Sequence, residues 1–149
     1  MEGAPLVHRR VPTVLGTLEF ALPAGAALEP DPGAVDGVGW WWSPIPGACV
    51  FTVSHGDAAR RTPASLLTLE RGLGPVEVLV DEPAPGGHLL EFRSGGRHAR
   101  FRYWARGRFA LRAGYRTDEA CPVLDAVFDS MRLVGGPAAA EGQPSWSRR

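Results

Sequence analysis

The chain has 149 residues, of which 44% are hydrophobic and 21% are charged, and its formal net charge is zero. This size and balance predict a single soluble globular domain with a core of its own. No apolar run approaches the roughly 18 residues that a membrane-spanning helix needs, and the zero net charge disfavours a nucleic-acid-binding protein.

The basic residues are uneven in kind and in distribution. All sixteen are arginines, and eight of them lie between residues 93 and 116, a stretch that contains no acidic residue. Arginine binds carboxylates through two parallel hydrogen bonds and stacks on aromatic rings, which lysine does not do in the same way. This stretch is therefore a candidate binding surface.

The chain begins with segments that have strand character. An edge strand is predicted around Leu6–Val11, and a clearer one at Gly16–Leu22, where side chains alternate with a period of two. Residues 26–37 are rich in Pro, Asp and Gly and are predicted to form an exposed connection. A strand with β-branched and aromatic residues follows at Ala48–Ser54.

Three consecutive tryptophans, Trp40, Trp41 and Trp42, precede that strand. On a strand, Trp41 points to one face, and Trp40 and Trp42 point to the other. Two interpretations stay open. The tryptophans belong to the core of a sheet covered on both faces, or Trp40 and Trp42 form an aromatic anchor that lines a small-ligand pocket.

The first helix is indicated at both ends. Thr62 is a favourable N-cap, Pro63 stands where its missing N–H costs nothing, and Gly72 and Gly74 supply the stop. Its apolar side is predicted at helical spacing and consists of Leu66, Leu69 and Leu73. A strand is predicted next, at Val76–Val80.

The following region predicts a three-stranded antiparallel meander. Gly95-Gly96 suits a two-residue turn that needs positive φ at both positions. This turn places Leu90 opposite Phe101, and Glu91 opposite Arg100. A slip of one residue would send every side chain to the wrong face, so the pattern specifies the register.

The second turn of the meander fits a three-residue loop, Ala105-Arg106-Gly107. Tyr103 is then opposite Phe109, and Arg100 is opposite Arg112. One face of the predicted meander is aromatic and aliphatic, and the other is an arginine face made of Arg93, Arg100, Arg102, Trp104, Arg108 and Arg112. Because like charges opposite each other destabilise a sheet, we expect the arginine face to bind an acidic protein partner.

The last predicted element is an amphipathic helix that begins between Asp118 and Pro122. Its apolar stripe follows the spacing i, i+3, i+4 and i+7 and consists of Leu124, Val127, Phe128 and Met131. Residues 136–149 have no periodicity and are predicted to form a flexible tail. This leaves a single domain at residues 1–135.

These elements predict an α+β fold with a single antiparallel sheet of about six to seven strands flanked by helices. The opening GTLEFALPAG (residues 16–25), the central helix, the meander and the closing VLDAVFDSMRLV (residues 123–134) resemble the PsbP-like superfamily. That superfamily includes a photosystem subunit, a Ran-binding nuclear import factor and bacterial chaperones of secretion effectors. The resemblance implies an α/β/α sandwich and a role in binding or assembling other proteins. It carries no family site residue to a position in this chain.

The sequence contains no recognisable catalytic motif. Ser54, His55 and Asp57 are the residue types of a hydrolytic triad, but within one short segment they cannot reach the required mutual geometry. The four histidines are dispersed, and none stands at metal-ligand spacing with a carboxylate or a cysteine. No phosphate-binding glycine motif is present. We therefore expect no catalytic residue, no metal and no cofactor.

The two cysteines, Cys49 and Cys121, match no metal spacing and are expected to be free thiols. The N-terminal residues contain no apolar segment of the kind found in secretion signals. These two features predict a cytoplasmic protein.

The function that follows is that of a non-catalytic interaction, assembly or chaperone-like factor that binds an acidic partner through the arginine face. The alternative is a small-ligand binding module with a tryptophan-lined pocket. A ligand-sized cavity beside Trp40 or Trp42 would favour the alternative, and a flat basic sheet face would favour the interaction factor.

Overall fold

The computed structural model describes residues 4–13, 15–30, 39–55 and 59–134, with the backbone alone at residues 54 and 55. This part of the chain forms ten strands and two helices. The strands make two sheets, of seven and of three strands. The predicted α+β class and a main antiparallel sheet of seven strands are confirmed, and the structure adds a separate small sheet.

The seven-stranded sheet is antiparallel throughout. Its strands, in spatial order, are β3 (Glu29–Pro30), β4 (Gly39–Trp42), β5 (Ala48–His55), β9 (Phe109–Thr117), β8 (Arg97–Arg106), β7 (Gly87–Ser94) and β6 (Val76–Ala84). The arginine-rich stretch therefore lies on the central strands, where other elements can cover both faces.

The three-stranded sheet contains β1 (Leu6–Thr13), β2 (Gly16–Pro23) and β10 (Arg132–Val134), with β2 in the centre. The two N-terminal strands were predicted, whereas β10 was not, because three residues are too few to show an alternating pattern. The small sheet packs through Leu18, Phe20 and Leu22 on the same core as one face of the large sheet.

A buried carboxylate joins the three strands of the small sheet. Glu19 is directly opposite both Arg10 and Arg132. Its oxygens lie 2.7 Å from Arg10 Nε and 2.9 Å from Arg132 Nη2, and only 9% of its side chain is exposed. The hydrogen bond from Arg132 and the charges of the two arginines lower the pKa of Glu19. A carboxylate this well covered needs such partners, because burying an unpaired charge is costly.

The two helices cover opposite faces of the large sheet. Helix α1 (Pro63–Arg71) packs near β6 and β7, and helix α2 (Pro122–Ser130) packs beside β2 on the other face. The start of α1 is as predicted. The Thr62 hydroxyl accepts from the Ser65 N–H at 3.0 Å, and the Ser65 hydroxyl accepts from the Thr62 N–H at 2.9 Å.

The predicted apolar side of α1 is wrong in part. The buried residues are Pro63, Leu66, Leu67 and Glu70, whereas Leu69 and Leu73 are 65% and 81% exposed. The helix is rotated from the predicted orientation so that Glu70 reaches Arg116 of β9 at 2.6 Å. The buried side of the helix therefore includes an ion pair, whereas the prediction had assigned it leucines alone.

Helix α2 has the predicted stripe. Leu124, Val127 and Phe128 have no exposed surface, and Met131 is 5% exposed. The helix ends at Ser130, whose hydroxyl accepts a hydrogen bond from the Ala21 N–H of β2 at 2.8 Å. This bond ties the end of α2 to β2, the strand with which β10 then pairs. The predicted tail at residues 136–149 lies outside the described residues.

The first turn of the meander has the predicted register. Gly95 and Gly96 have φ values of 60° and 78°. Leu90 is opposite Phe101, and Glu91 is opposite Arg100. A glycine pair with positive φ at both positions was sufficient to specify this hairpin.

The second turn contradicts the predicted register. Arg106 pairs with Phe109, so the loop has only two residues, and Gly107 has a φ of 58°. Tyr103 is opposite Arg112, and Arg100 is opposite Tyr115. The difference from the predicted register is three residues, an odd number, which moves every side chain of β9 to the other face.

Candidate interaction surfaces

The corrected register divides the predicted arginine face. Arg100, Arg102 and Trp104 project from the face that packs on α2, and the exposed Arg93 shares that side of the sheet. Arg112 projects from the opposite face, which α1 partly covers. Arg108 lies in the turn between β8 and β9. The six residues therefore do not form one surface.

On the α2 side, the arginines contact other residues of the protein itself. The guanidinium carbons of Arg100 and Arg102 lie 4.4 Å and 4.5 Å from the centre of the Phe128 ring. Arg100 Nη1 also donates to Asp125 Oδ1 at 2.9 Å, and its Nε is 3.6 Å from Glu91. The predicted repulsion between Arg100 and Arg112 is thus absent, because the two residues are on opposite faces. These contacts instead hold α2 on the sheet.

Tyr115 belongs to the same cluster. Its hydroxyl donates to Asp125 Oδ1 at 2.6 Å, and its ring packs edge-on against Phe128. Burial raises the pKa of Tyr115, and the hydrogen bond with Asp125 raises it further. The cluster therefore contains a phenol that burial and its hydrogen bond to Asp125 keep protonated.

The remaining predicted residues make weaker contacts. Arg93 Nη1 is 3.5 Å from Glu77, with both side chains largely exposed. Arg108 lies 5.0 Å from the centre of the Phe109 ring. Trp104 is half-buried and packs against the core beneath α2. An exposed ion pair of this kind stabilises a protein by about 0–1 kcal/mol.

A cavity of about 220 Å³ opens on the α1 side of the large sheet. Its wall combines the start of α1 with two residues of the central strands and is formed by Arg60, Arg61, Thr62, Ser65, Leu66, Leu69, Tyr103 and Arg112. Three of these side chains are arginines, and none is acidic. Arg60 and Arg61 lie just before the helix, so sequence reasoning about the central strands alone missed them.

Arg112 is the member of the predicted set that faces this cavity. Its guanidinium stacks on Phe101 and Phe51 at 5.1 Å and 5.6 Å from the ring centres. Its Nε is buried and has no hydrogen-bond partner among the described residues. Burial raises the pKa of the neighbouring Tyr103, and the charge of Arg112 opposes that rise. Arg112 is thus preoriented by two rings with part of its hydrogen-bonding capacity unused.

The tryptophan triplet follows the predicted alternation. Trp42 is 4% exposed within the core that α2 covers, and the half-buried Trp40 packs against the same core. Trp41 is half-buried on the opposite face, where it is paired with Phe51 of β5. Trp40 and Trp42 therefore have the positions expected of core tryptophans.

Two histidines form contacts that the sequence analysis missed. His88 Nε2 is 2.5 Å from Asp81 Oδ1, and His98 Nε2 is 2.5 Å from Glu91 Oε2. Each pair joins adjacent strands at diagonal positions, which the strand registers alone would have brought together. In the described part of the chain, no cluster of three or more His, Cys, Asp or Glu side chains is placed to hold a metal ion.

The segment that contained a possible triad is only partly visible. The backbone of Ser54 and His55 continues β5, and residues 56–58 lie outside the described residues. Cys49 and Cys121 are half-buried and are not joined in a disulfide. Neither described helix is long and apolar enough to cross a membrane.

Comparison with known proteins identifies the fold. No protein-family model and no curated protein matches the sequence. The structure is similar to the solution structure of cyanobacterial PsbP (CyanoP) from Synechocystis sp. PCC 6803, with a TM-score of 0.53 over 90% of this chain and 96% of that chain. The two sequences are 13% identical. The chain therefore has a PsbP-like fold, as its sequence predicted.

Proposed function

We propose that this PsbP-like protein is a non-catalytic interaction or assembly factor that binds an acidic segment of a partner protein. The binding surface is the α1 side of the large sheet, around the cavity that Arg60, Arg61 and Arg112 line. The observation that carries the proposal is that two of these arginines lack a carboxylate partner among the described residues. Neither Arg61 nor Arg112 has a carboxylate within 4 Å among the described residues.

The contrast with Arg116 supports this assignment. Arg116 lies four residues after Arg112 on the same face of β9, and its Nη1 is 2.6 Å from Glu70 of α1. The protein thus neutralises one arginine internally and leaves its neighbour beside the cavity without a carboxylate from the described residues. A partner's aspartate or glutamate would supply the missing charge-assisted hydrogen bonds.

The rim of the cavity adds an apolar contact. Leu69 lines the cavity and is 65% exposed. An apolar side chain beside a set of arginines suits a peptide in which acidic and apolar residues are neighbours. Recognition by arginine also depends on the flat guanidinium, which binds a carboxylate through two hydrogen bonds.

Binding fits this cavity better than catalysis does. The described residues of the lining supply arginines, hydroxyl groups and apolar side chains, and none of them has a carboxylate or imidazole that would accept a proton. The absence of a disulfide between Cys49 and Cys121 fits a reducing compartment, and we therefore propose the cytoplasm as the location of the protein. The alternative of a ligand pocket lined by Trp40 and Trp42 receives no support from their packing, because both side chains lie against the core.

The proposal is tested with a paired set of charge variants. An octapeptide of glutamate, with a glutamine octapeptide as reference, is titrated into the wild-type protein and followed by fluorescence anisotropy. We expect the glutamate peptide alone to bind, with an affinity that falls as salt is added. Arg61→Gln with Arg112→Gln should weaken binding by about tenfold or more.

The matched control is Arg93→Gln with Arg108→Gln, which removes the same charge from the predicted residues outside the cavity. This double variant should bind the glutamate peptide nearly as well as the wild type does. Equal losses in the two double variants would mean that only net charge matters, and the α1-side surface would be the wrong assignment. Failure of the glutamate peptide to bind the wild type would also contradict the proposal.

A further inference from the structure

A second cavity, of about 280 Å³, lies beside the turn that joins β6 to β7. Its wall includes Pro85 from that turn, Arg102 and Trp104 from β8, and Met131 and Leu133 from the segment around the end of α2. None of the residues that line it is acidic. It shares only Tyr103 with the cavity on the α1 side.

Arg102 is the unusual member of this wall. It is half-buried, its Nε is buried without a hydrogen-bond partner among the described residues, and no described carboxylate lies within 4 Å of it. Burial and the charge of Arg100 lower the pKa of Arg102, and the more distant charge of Asp129 opposes this shift only in part. A half-buried guanidinium without an anion is unfavourable, because desolvation is not offset by an ion pair.

The other basic side chains at this cavity already have carboxylate partners. Arg132 donates to Glu19 through Nε and Nη2, both at 2.9 Å. His88 is held by Asp81 at 2.5 Å. Among the arginine and histidine side chains of this wall, Arg102 is thus the one to which the described residues supply no carboxylate.

Much of the rest of the wall is apolar. Trp104 offers an indole and Met131 a thioether, two groups that pack well against a flat or branched apolar body. The turn beside them approaches β8 so closely that a Cβ at Gly87 would lie 1.6 Å from the Tyr103 carbonyl oxygen.

We infer that this cavity binds a small organic anion, a carboxylate attached to an apolar body. Its carboxylate meets Arg102, and its apolar part lies against Trp104 and Met131. The volume is near the lower end of the roughly 300–1,000 Å³ of small-molecule sites, which favours a monocarboxylate over a nucleotide or a lipid. This site is separate from the surface proposed for the acidic partner, and it shares none of its arginines.

The test compares phenylacetate with its neutral amide, phenylacetamide, on the full 149-residue chain. The two probes have the same apolar body and differ in charge. Binding is followed by the NMR shift of the Trp104 indole N–H, which is assigned from its loss in Trp104→Phe. We expect phenylacetate to shift this signal in the millimolar range and phenylacetamide to bind at least about tenfold more weakly.

Arg102→Gln should remove the preference for the acid, and Arg102→Lys should retain part of it, because the charge stays and the planar fork is lost. Arg93→Gln is the control on the same side of the sheet and should leave the preference unchanged. Inorganic phosphate is included as a probe without an apolar body, and it should bind more weakly than phenylacetate.

Several outcomes would overturn the inference. The amide could bind as tightly as the acid, phosphate could match phenylacetate, or the wild type could bind none of the probes at about 10 mM. The comparison of acid with amide uses the wild-type protein, so the result does not depend on whether Arg102→Gln folds.

Discussion

Gly114 lies between two aromatic rings in the middle of the large sheet. It is opposite Phe51 on one neighbouring strand and Phe101 on the other. Because Gly114 has no side chain, these two rings meet edge to face with their centres 5.4 Å apart. The contact crosses a strand that would otherwise separate them, and it explains why the register of β9 places a glycine at this point.

We predict that Gly114→Ala strongly destabilises the protein. A Cβ at this position would lie 1.9 Å from the Arg100 carbonyl oxygen and 2.7 Å from Phe101 Cδ1. The expected loss in the free energy of unfolding is about 1–3 kcal/mol or more, measured by urea denaturation. Gly74→Ala is the control, because a Cβ there has no neighbour within 4 Å. Equal stability of the two variants would contradict the observed register.

The two tyrosines of the chain give a prediction in alkaline solution. Burial raises the pKa of both Tyr103 and Tyr115. Exposed tyrosines ionise at about pH 10. We therefore expect the folded protein to show no phenolate absorbance near that pH. The stabilisation from these phenols is complete below about pH 10 and is lost as the pH rises through their higher folded-state values.

The same titration in denaturant provides the control for the tyrosines, because both should then ionise near pH 10. Phenolate absorbance at that pH in the native protein, without unfolding, would show that one ring is exposed. Tyr115→Phe would then identify which of the two tyrosines is responsible.

At the scale of elements, α1 buries a charged side chain, Glu70, together with its leucines. Sequence periodicity placed Leu66, Leu69 and Leu73 on one buried side, whereas the structure buries Leu66 and Leu67 and exposes the other two. The buried side of α1 also holds Glu70, which pairs with Arg116 of β9. The exposed Leu69 is then available at the rim of the α1-side cavity.

This orientation predicts unequal effects for two identical substitutions in α1. Leu66→Ala removes a side chain that is 9% exposed and should lower the free energy of unfolding by about 2–5 kcal/mol. Leu69→Ala removes one that is 65% exposed and should change it by no more than about 0.5 kcal/mol. Thermal and urea denaturation measure both. A larger loss of stability in Leu69→Ala than in Leu66→Ala would contradict the observed orientation of the helix.

At the scale of the whole molecule, one core joins both sheets and α2. Leu18 and Phe20 of the small sheet, Tyr115 of the large sheet and Leu124 of α2 belong to the same buried cluster. The contacts of Arg100 and Arg102 with Phe128 lie at its edge. The small sheet is thus part of the same cooperative unit as the large one.

We therefore predict that Leu124→Ala lowers the stability of the entire domain. Leu124 is fully buried, and its truncation should cost about 2–5 kcal/mol. Unfolding should remain a single transition when it is followed by tryptophan fluorescence and by circular dichroism. Two separate transitions would mean that the sheets unfold independently.

The sequence by itself determined those features that rest on local patterns. The N-cap at Thr62 depends on side chains three residues apart, and the hairpin at Gly95-Gly96 depends on two residues that tolerate positive φ. The apolar stripe of α2 repeats with the period of a helix. Together with the order of elements, these patterns were enough to predict the α+β class and the PsbP-like fold.

Tertiary structure decided the features that depend on contacts between distant residues. Both a two-residue and a three-residue loop fit the sequence around Gly107, and the choice between them rests on the meeting of Phe51 and Phe101 across Gly114. That choice sends Arg112 to one face and Arg100 to the other. The candidate site could not be predicted in full, because Arg61 joins Arg112 only after α1 has packed on the sheet.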